Sequence, residues 1–365
     1  MTPPLVSVIV PTYNRAHFLG QTLASLRDQT LREIEIIVVD DGSTDATPAL
    51  LAAFADPRLV VVRHAVNRGI PSARNAGLER ASGRFIAWLD SDDVSRADRL
   101  ERQAAYLSDH PETAMIGCCA GKIDPAGQRI AGIRIPPFKD RATQAWLLFR
   151  PAFQQSSIMG RSEILKAFPY KLENPVCEDY DVFLRLGAAG HQLENLPLVL
   201  IDRRIHPDQT VRVSETLIPA RTGALLAPVL ARLGVTFSPE DLKRHVLLGN
   251  LQTSVVGEDF LAWANHWIAR LHAANAITAL FDRDALGVAT GYCWLRACKA
   301  ASPSIGKRRA AQWFFRGLTQ TRLASASAWA LSVAQVLVGE RFSPARRDNR
   351  SGFEKAARPL SRPCP

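Results

Sequence analysis

Between Leu5 and Asp93, short apolar runs alternate with helical periodicity, and the runs stop at polar clusters. No other feature restricts the fold of this chain as much. Leu5–Val10 is apolar and ends at Pro11. Ala16–Leu31 then places Phe18, Leu19, Thr22, Leu23 and Leu26 on one helical face. Ile34–Val39 is a second apolar run ending at Asp40, and Ser43 is expected to cap the helix that follows. Leu59–Val62 reads as a third strand, Pro71–Ala81 as a helix and Phe85–Leu89 as a fourth strand. Strands that are apolar along their whole length are buried on both faces, which points to a mostly parallel sheet covered by helices on either side, a three-layer αβα sandwich. Ligands of such sheets bind beyond the carboxyl ends of the strands. The polar clusters Thr12-Tyr13-Asn14, Asp40-Asp41-Gly42-Ser43 and Asp90-Ser91-Asp92-Asp93 all fall at those ends, so they are expected to form one site.

From Ala114 to about Val213 the chain is less regular and richer in Pro and Gly, and after Ser214 its texture becomes helical. Ser238-Pro239-Glu240-Asp241 combines a capping Ser with Pro at the first turn. Phe260, Leu261, Ala264, Trp267, Ile268 and Leu271 form an apolar face behind Glu258-Asp259, a carboxylate pair that suits a helix N-terminus. These shifts divide the chain into an α/β domain over 1–215, a helical region over 216–342 and a basic tail over 343–365 that is expected to be disordered. The first domain is read as two halves, about 1–113 and 114–215.

Charge is unevenly placed. Residues 299–365 hold 13 Lys and Arg against 3 Asp and Glu, which accounts for the whole net charge of +10 and leaves the first 298 residues neutral. Such asymmetry suggests contact with an anionic surface. The neutral body argues against a nucleic-acid-binding fold, so no specific nucleic acid is expected. Six cysteines form no metal-binding CxxC pairs; Cys118 and Cys119 sit in an apolar run and read as small core residues. With no secretory signal and no strongly apolar run of about 18 residues, a reducing cytoplasmic setting is expected, with peripheral attachment at the inner face of the plasma membrane. The nearest approach to a span is the uncharged stretch Leu323–Gly339, which Ser325, Ser327, Ser332 and Gln335 weaken.

Asp90-Ser91-Asp92 follows the apolar Phe85–Leu89. Carboxylates gathered at a strand end repel one another unless a cation neutralises them. Hard oxygen ligands suit Mg²⁺ or Mn²⁺ bound with substrate phosphates. The same string would also fit a haloacid-dehalogenase-type phosphatase with Asp90 as nucleophile, but that reading leaves Pro11–Arg15 and Asp40–Asp45 unexplained. No Gly-x-Gly-x-x-Gly follows the first strand, which counts against a dinucleotide-dependent dehydrogenase.

Taken in order, Pro11-Thr12-Tyr13-Asn14-Arg15, Val38-Val39-Asp40-Asp41-Gly42-Ser43-Thr44-Asp45, Asn67-Arg68-Gly69, Ala73-Arg74-Asn75-Ala76-Gly77 and Leu89-Asp90-Ser91-Asp92-Asp93 closely resemble the family 2 glycosyltransferases over about the first 210 residues. The resemblance implies a GT-A fold. It also implies inverting, metal-assisted transfer of a sugar from a nucleotide-diphosphate donor, UDP-linked, to a hydroxyl of a glycan or lipid-linked acceptor in polysaccharide or glycoconjugate synthesis. It assigns nucleotide contacts to Pro11, Tyr13, Arg74 and Asp90, with Tyr13 packed on the base and Asp40 or Asp41 accepting from the base N–H edge. Asp92 would ligate the metal, with Asp90 and with His206 of Arg203-Arg204-Ile205-His206-Pro207. Glu178-Asp179-Tyr180-Asp181 resembles the family's catalytic Glu-Asp motif, with Asp179 as general base and Glu178 on the acceptor beside Gln155 and Ser156. An inverting transfer needs only one such base.

Lys307-Arg308-Arg309, Trp313-Phe314-Phe315, Arg316 and Arg322 mix basic and aromatic residues at near-helical spacing. Two readings stand: an interfacial helix on anionic membrane, or an aromatic face packed against the catalytic domain.

Overall fold

The structure is a computed structural model that describes residues 3–134, 139–207, 209, 216–251 and 255–317. The expected alternation is present. Strand β1 (Val6–Thr12) leads to helix α1 (Ala16–Arg27), β2 (Ile34–Asp40), α2 (Thr47–Ala53), β3 (Leu59–Arg63), α3 (Ile70–Arg80) and β4 (Phe85–Trp88). β1 pairs in parallel with both β2 and β4, and β2 with β3. The sheet continues through β5 (Val94–Ser95), β6 (Thr113–Ile123), β7 (Arg129–Arg134), β8 (Met159–Arg161) and β9 (Gln192–Arg204). Its order is β3-β2-β1-β4-β8-β6-β9-β5, with β7 on β6. β8 enters antiparallel between β4 and β6, whereas β6 and the long β9 pair in parallel.

Strand alternation explains the two covered faces. Val6, Val8 and Val10 of β1 turn toward Leu19, Leu23 and Leu26 of α1 and toward Leu100, Ala104 and Leu107 of α4 (Arg99–Asp109). Ile9, with Ile37 and Val39 of β2, turns the other way, toward Ala73 and Leu78 of α3 and toward Val182, Phe183 and Leu186 of α7 (Glu178–Ala188). Between these lie α5 (Asp140–Leu147) and α6 (Ser162–Ala167). Cys118 and Cys119 are buried, and burial pushes the Cys118 thiol up to about 11, which suits packing rather than reactivity.

Two local expectations differ. The first helix stops at Arg27 rather than Leu31, and the side chain of Gln29 then takes up Ser25 O and Arg96 O. Ser43 caps no helix. The helix begins at Thr47 without a side-chain cap, and Ser43 Oγ instead accepts from Asn14 N at 2.9 Å. A bond between two loops has replaced a local cap.

The helical region comprises Ile218–Arg232, Pro239–Gly249, Glu258–Thr278, Arg283–Ile305 and Lys307–Gly317. Ser238 and Asp241 form the expected reciprocal capping box. This region is packed into the α/β part. Leu226 and Val246 join the core on one face of the sheet, while Ala145, Leu148 and Phe149 join the core of the helices. A Cβ on Gly249 would lie 2.0 Å from Phe149 O, so only glycine permits that approach. His245, fully buried, joins the parts: its Nε2 donates to Leu148 O at 2.8 Å and its Nδ1 accepts from Trp267 Nε1 at 2.9 Å.

The aromatic-basic segment folds as the helix Lys307–Gly317 and packs inward. Phe314 is buried and its carbonyl accepts from Trp294 Nε1 at 3.1 Å; Trp313 Nε1 and Arg309 both reach Glu258. Lys307, Arg308 and Phe315 remain exposed. Arg322, the stretch Leu323–Gly339 and the basic tail lie outside the described residues. Among those described, no helix is long and apolar enough to cross a membrane.

Burial lowers the His245 imidazole to about 4, against the bond to Leu148 O. In the unfolded chain it protonates near pH 6.5, so the unfolded state binds the extra proton first. Stability is expected to be complete above about pH 6.5 and to fall on acidification toward pH 4, by about 1.4 kcal/mol per unit from this residue. Urea unfolding across that window should show a shallower loss for His245→Gln than for wild type; equal slopes would refute the assignment.

Candidate active site

At the carboxyl ends of β1, β2 and β4 the chain encloses a cavity of about 650 Å³. The sequence-predicted residues Pro11, Tyr13, Asp41, Arg74, Asp90, Asp92, Gln155, Glu178 and Asp179 all line it. They come from β1 and its following loop, the β2 end, α3, the β4 turn, the 3₁₀ turn Gln155–Ser157 and the start of α7.

The loops after β1 and β2 are tied to one another. Asn14 stands at φ +52, in the left-handed region that Asn tolerates better than most residues. Its Oδ1 accepts from Thr44 N at 2.8 Å and Asp45 N at 3.3 Å, and Ala16 N donates to Asp45 Oδ2 at 3.1 Å. Gly42 has φ +76, and a Cβ there would lie 2.6 Å from the carbonyl carbon of Val66. Close passage of the 66–69 loop lets Arg68 N and Gly69 N donate to Asp41 at 3.0 and 2.8 Å, with His64 Nδ1 at 2.6 Å. Tyr13 is left 41% exposed over the cavity.

This geometry separates the two adjacent aspartates. Asp41 borders the cavity. Asp40 does not: it is fully buried, accepts from Ser43 N at 2.9 Å and faces Arg63 Nε at 3.4 Å. Alternation along the end of β2 turns consecutive side chains to opposite sides, so Asp40 braces the loop behind the site.

The turn after β4 is also held from behind. Thr22 donates to Ser91 O and Asp93 O at 3.0 and 2.8 Å. Ser156 was expected on the acceptor side; it is fully buried and off the cavity. It accepts from Asp90 N at 3.1 Å and donates to Asp93 Oδ2 at 2.5 Å. Asp93 is buried, which pushes its carboxyl well above the usual range, with Asp92 and Asp90 adding to the shift. Its second oxygen accepts from Arg204 N at 2.9 Å. The Arg204 guanidinium donates to Asp92 O, Asp124 O, Pro125 O and Gln21 Oε1, joining β9 to both the turn and α1.

Asp92 opens to the cavity, and its Oδ2 lies 2.9 Å from His206 Nε2. His206 is buried behind Asp92 rather than lining the cavity, stacked obliquely on Phe18 at 4.7 Å, with Nδ1 unsatisfied by any described residue. Among the described residues, no cluster of three or more His, Cys, Asp or Glu side chains is arranged to hold a metal ion. Asp92 and Asp90 nonetheless bring carboxylate oxygens to the cavity, with His206 behind Asp92. That suits a hard cation which takes further oxygens from phosphates and water, and it fits Mg²⁺ or Mn²⁺ better than a caged structural metal.

Arg74 joins the two halves of the site. Its guanidinium donates to Glu178 Oε1 at 2.5 Å and to Asp90 Oδ1 at 3.3 Å, and it stacks on Tyr170 at 5.2 Å. Burial opposes its charge, but Glu178, Tyr170 and Asp90 more than offset this and raise its pKa. Glu178 is pushed up to about 7 by burial, against the pull of Arg74. Burial likewise raises Asp90, with Arg74 opposing and Asp92 adding to the effect. Asp179, half-buried, accepts from Tyr180 N at 2.7 Å and faces the cavity. Gln155 donates to the Tyr170 hydroxyl at 2.8 Å, and its Oε1 has no described partner.

Sequence reasoning named Asn14 and Arg204 only within motifs, without the bonds they make, and missed Ile218, Thr222, Val246 and Asn250, which complete the cavity wall from the helical region. Asn after Thr-Tyr was a readable sign of a positive-φ position. Nothing in the texture of the helical region marked these four residues as cavity-lining.

The family model described as Glycosyl transferase family 2 matches residues 7–168. The amylovoran biosynthesis glycosyltransferase AmsE of Erwinia amylovora is 31% identical over 208 residues, which cover 56% of this chain and 77% of AmsE. The UDP-Glc:alpha-D-GlcNAc-diphosphoundecaprenol beta-1,3-glucosyltransferase WfgD of Escherichia coli is 39% identical over 113 residues, 31% of this chain and 45% of WfgD. Among solved structures, S. aureus TarS 1-349 in complex with UDP-GlcNAc aligns with a TM-score of 0.49 at 21% identity, over 77% of this chain and 90% of that one. These relatives lend no support to a phosphatase with Asp90 as nucleophile. With AmsE matched over most of its own length and the family model lying on the strands that carry the cavity, the chain belongs to the family 2 glycosyltransferases.

Proposed function

We propose that this enzyme transfers one sugar from a UDP-linked donor to an acceptor hydroxyl, with inversion, in polysaccharide or glycoconjugate synthesis. The observation that carries the reading is the convergence of Tyr13, Asp41, Arg74, Asp92 and Asp179, from distant segments, on one cavity. AmsE, a glycosyltransferase of amylovoran biosynthesis, and WfgD, which takes UDP-Glc, support the class and the donor.

Tyr13 offers an exposed ring to the nucleobase. Asp41, fixed by two backbone N–H groups, presents an acceptor to the base edge, and Pro11 shapes the floor beneath it. Asp90 and Arg74 meet the ribose and the diphosphate. Asp92, with His206 or Asp90, would hold Mg²⁺ or Mn²⁺, which when bound neutralises charge on the departing diphosphate. Asp179 removes the proton of the attacking hydroxyl as that oxygen approaches the anomeric carbon from the face opposite the diphosphate. Glu178 and Gln155 orient the acceptor, and Arg74 fixes Glu178. Ser156 acts indirectly, by holding the Asp90 backbone and the Asp93 carboxyl.

Calorimetric titration with UDP in the presence and absence of Mn²⁺ tests the donor half. Wild type should bind more tightly with metal, and Asp92→Ala should lose that difference. Asp179→Asn should keep UDP affinity yet lower transfer by a factor of ~100 or more. Full turnover in that variant would refute the assignment of the base.

We place the enzyme in the cytoplasm, bound peripherally to the inner face of the plasma membrane. The exposed Lys307, Arg308 and Phe315 and the positive charge beyond Gly317 support attachment to anionic lipid. Because Phe314 packs on Trp294, the informative truncation ends at Gly317. It should lose flotation with phosphatidylglycerol-containing liposomes; undiminished flotation would move the attachment elsewhere.

A further inference from the structure

Gln155 carries a polar atom that the fold leaves unsatisfied. The residue lines the cavity and is 4% exposed, and its buried Oε1 has no partner among the described residues. A buried acceptor left unpaired is costly, and one that belongs to a cavity wall can be paired by a ligand. Thr12 Oγ1 and Arg74 Nε also belong to cavity-lining residues and also lack a described partner, but each of those groups can donate. The Gln155 oxygen can only accept.

The carboxamide is held from behind. Its Nε2 donates to the Tyr170 hydroxyl at 2.8 Å. Tyr170 is itself fixed: Asn75 of α3 donates to its carbonyl and accepts from its N–H, both at 2.8 Å, and its ring meets Trp88 edge-on at 5.3 Å. The turn that carries Gln155 is tied down as well, with Ile158 N on Gln155 O at 3.2 Å and Gln103 Nε2 on Ser157 O at 2.8 Å. With its nitrogen engaged by Tyr170, the side chain keeps an oxygen for the substrate.

Position decides which sugar it meets. On one side the next residue, Ser156, accepts from Asp90 N at 3.1 Å. On the other, Tyr170 lies under the Arg74 guanidinium, which is bonded to Glu178 beside Asp179. Gln155 is therefore bracketed by the carboxylate placed at the ribose and diphosphate and by the helix start that carries the base. A sugar in transit has its anomeric carbon between those two, so its ring passes over this stretch of floor. Gln155 orients the acceptor in the proposed reaction, and its depth also brings it under the sugar being transferred.

We infer that Gln155 is a specificity-determining residue for the donor, its Oε1 accepting a hydrogen bond from one O–H or N–H of the transferred hexose, with Tyr170 as the positioning residue that presents it. This rests on the UDP-donor reading and deepens it: the donor class becomes UDP-hexoses with a hydrogen to give at one particular ring substituent, and a sugar lacking it is rejected because the buried oxygen then stays unpaired.

The test is calorimetric titration of the full chain with Mn²⁺. The probes are UDP, UDP-glucose, UDP-N-acetylglucosamine and the four UDP-glucose analogues that each carry fluorine in place of one glucose hydroxyl. Fluorine is close to a hydroxyl in size and cannot donate. Wild type should bind one of the four analogues about tenfold or more less tightly than UDP-glucose. Gln155→Leu and Gln155→Met should bind that analogue and UDP-glucose alike, with UDP affinity as in wild type. Tyr170→Phe, which releases the carboxamide, should lessen the discrimination. A preference of wild type for UDP-N-acetylglucosamine that both Gln155 variants lose would identify the acetamido N–H as the group bound. Discrimination that wild type lacks, or that persists in both variants, overturns the inference. So does a parallel loss of UDP affinity, which would give Gln155 to the nucleotide, or an effect confined to the acceptor's KM, which would leave it to the acceptor alone. Failure of wild type to bind UDP sinks the donor reading itself, whatever the sugars show.

Discussion

A buried guanidinium cannot be left alone, and in this enzyme the constraint falls on Arg74. Its charge sits between Glu178 and Asp90, which belong to segments 104 and 16 residues away. Removing one partner of such a buried pair costs about 3–5 kcal/mol, because the others stay desolvated and uncompensated. The start of α7, the turn after β4 and the middle of α3 are therefore fixed relative to one another. Glu178 and Asp90 keep their spacing because one cation binds both. The same pairing keeps Glu178 engaged while leaving Asp179, one residue on, turned toward the cavity.

Around that cation the rest of the site is supported from behind the cavity. Thr22, Ser156 and Arg204 hold the carbonyls, amide and carboxylate of the Asp90–Asp93 turn. Asn14 holds the loop after β2, and that loop's own Asp41 is held by the 66–69 backbone. Each bond joins segments far apart in the chain, so the carboxylates stay close despite their repulsion.

These long-range bonds also explain what the sequence could and could not disclose. Local periodicity placed β1 to β4 to within a residue or two, because parallel strands buried on both faces are apolar throughout. The strand-end clusters marked the site, and the motif order named the family. The fate of adjacent polar residues was not legible. Asp40 and Asp41 differ only in which side of β2 they face. Ser43 looked like a cap and became a loop tie. Ser156 looked like a substrate contact and became a brace. Each outcome depends on a partner tens of residues distant, which composition does not reveal. The contribution of the helices to the cavity was hidden for a similar reason: Val246 and Thr222 look like ordinary members of amphipathic stretches until packing turns them toward Cys177 and Tyr180.

The seam between the helices and the sheet has an evolutionary consequence. Gly249 against Phe149 O, and His245 against Leu148 O, secure the helices to the very segment that continues into Arg150 and Gln155. Drift in the helical half is thereby transmitted to one wall of the chamber, while the loops after β1 and β2, braced independently, stay as they are. A lineage with this architecture can diversify what it glycosylates without relearning how to activate a sugar.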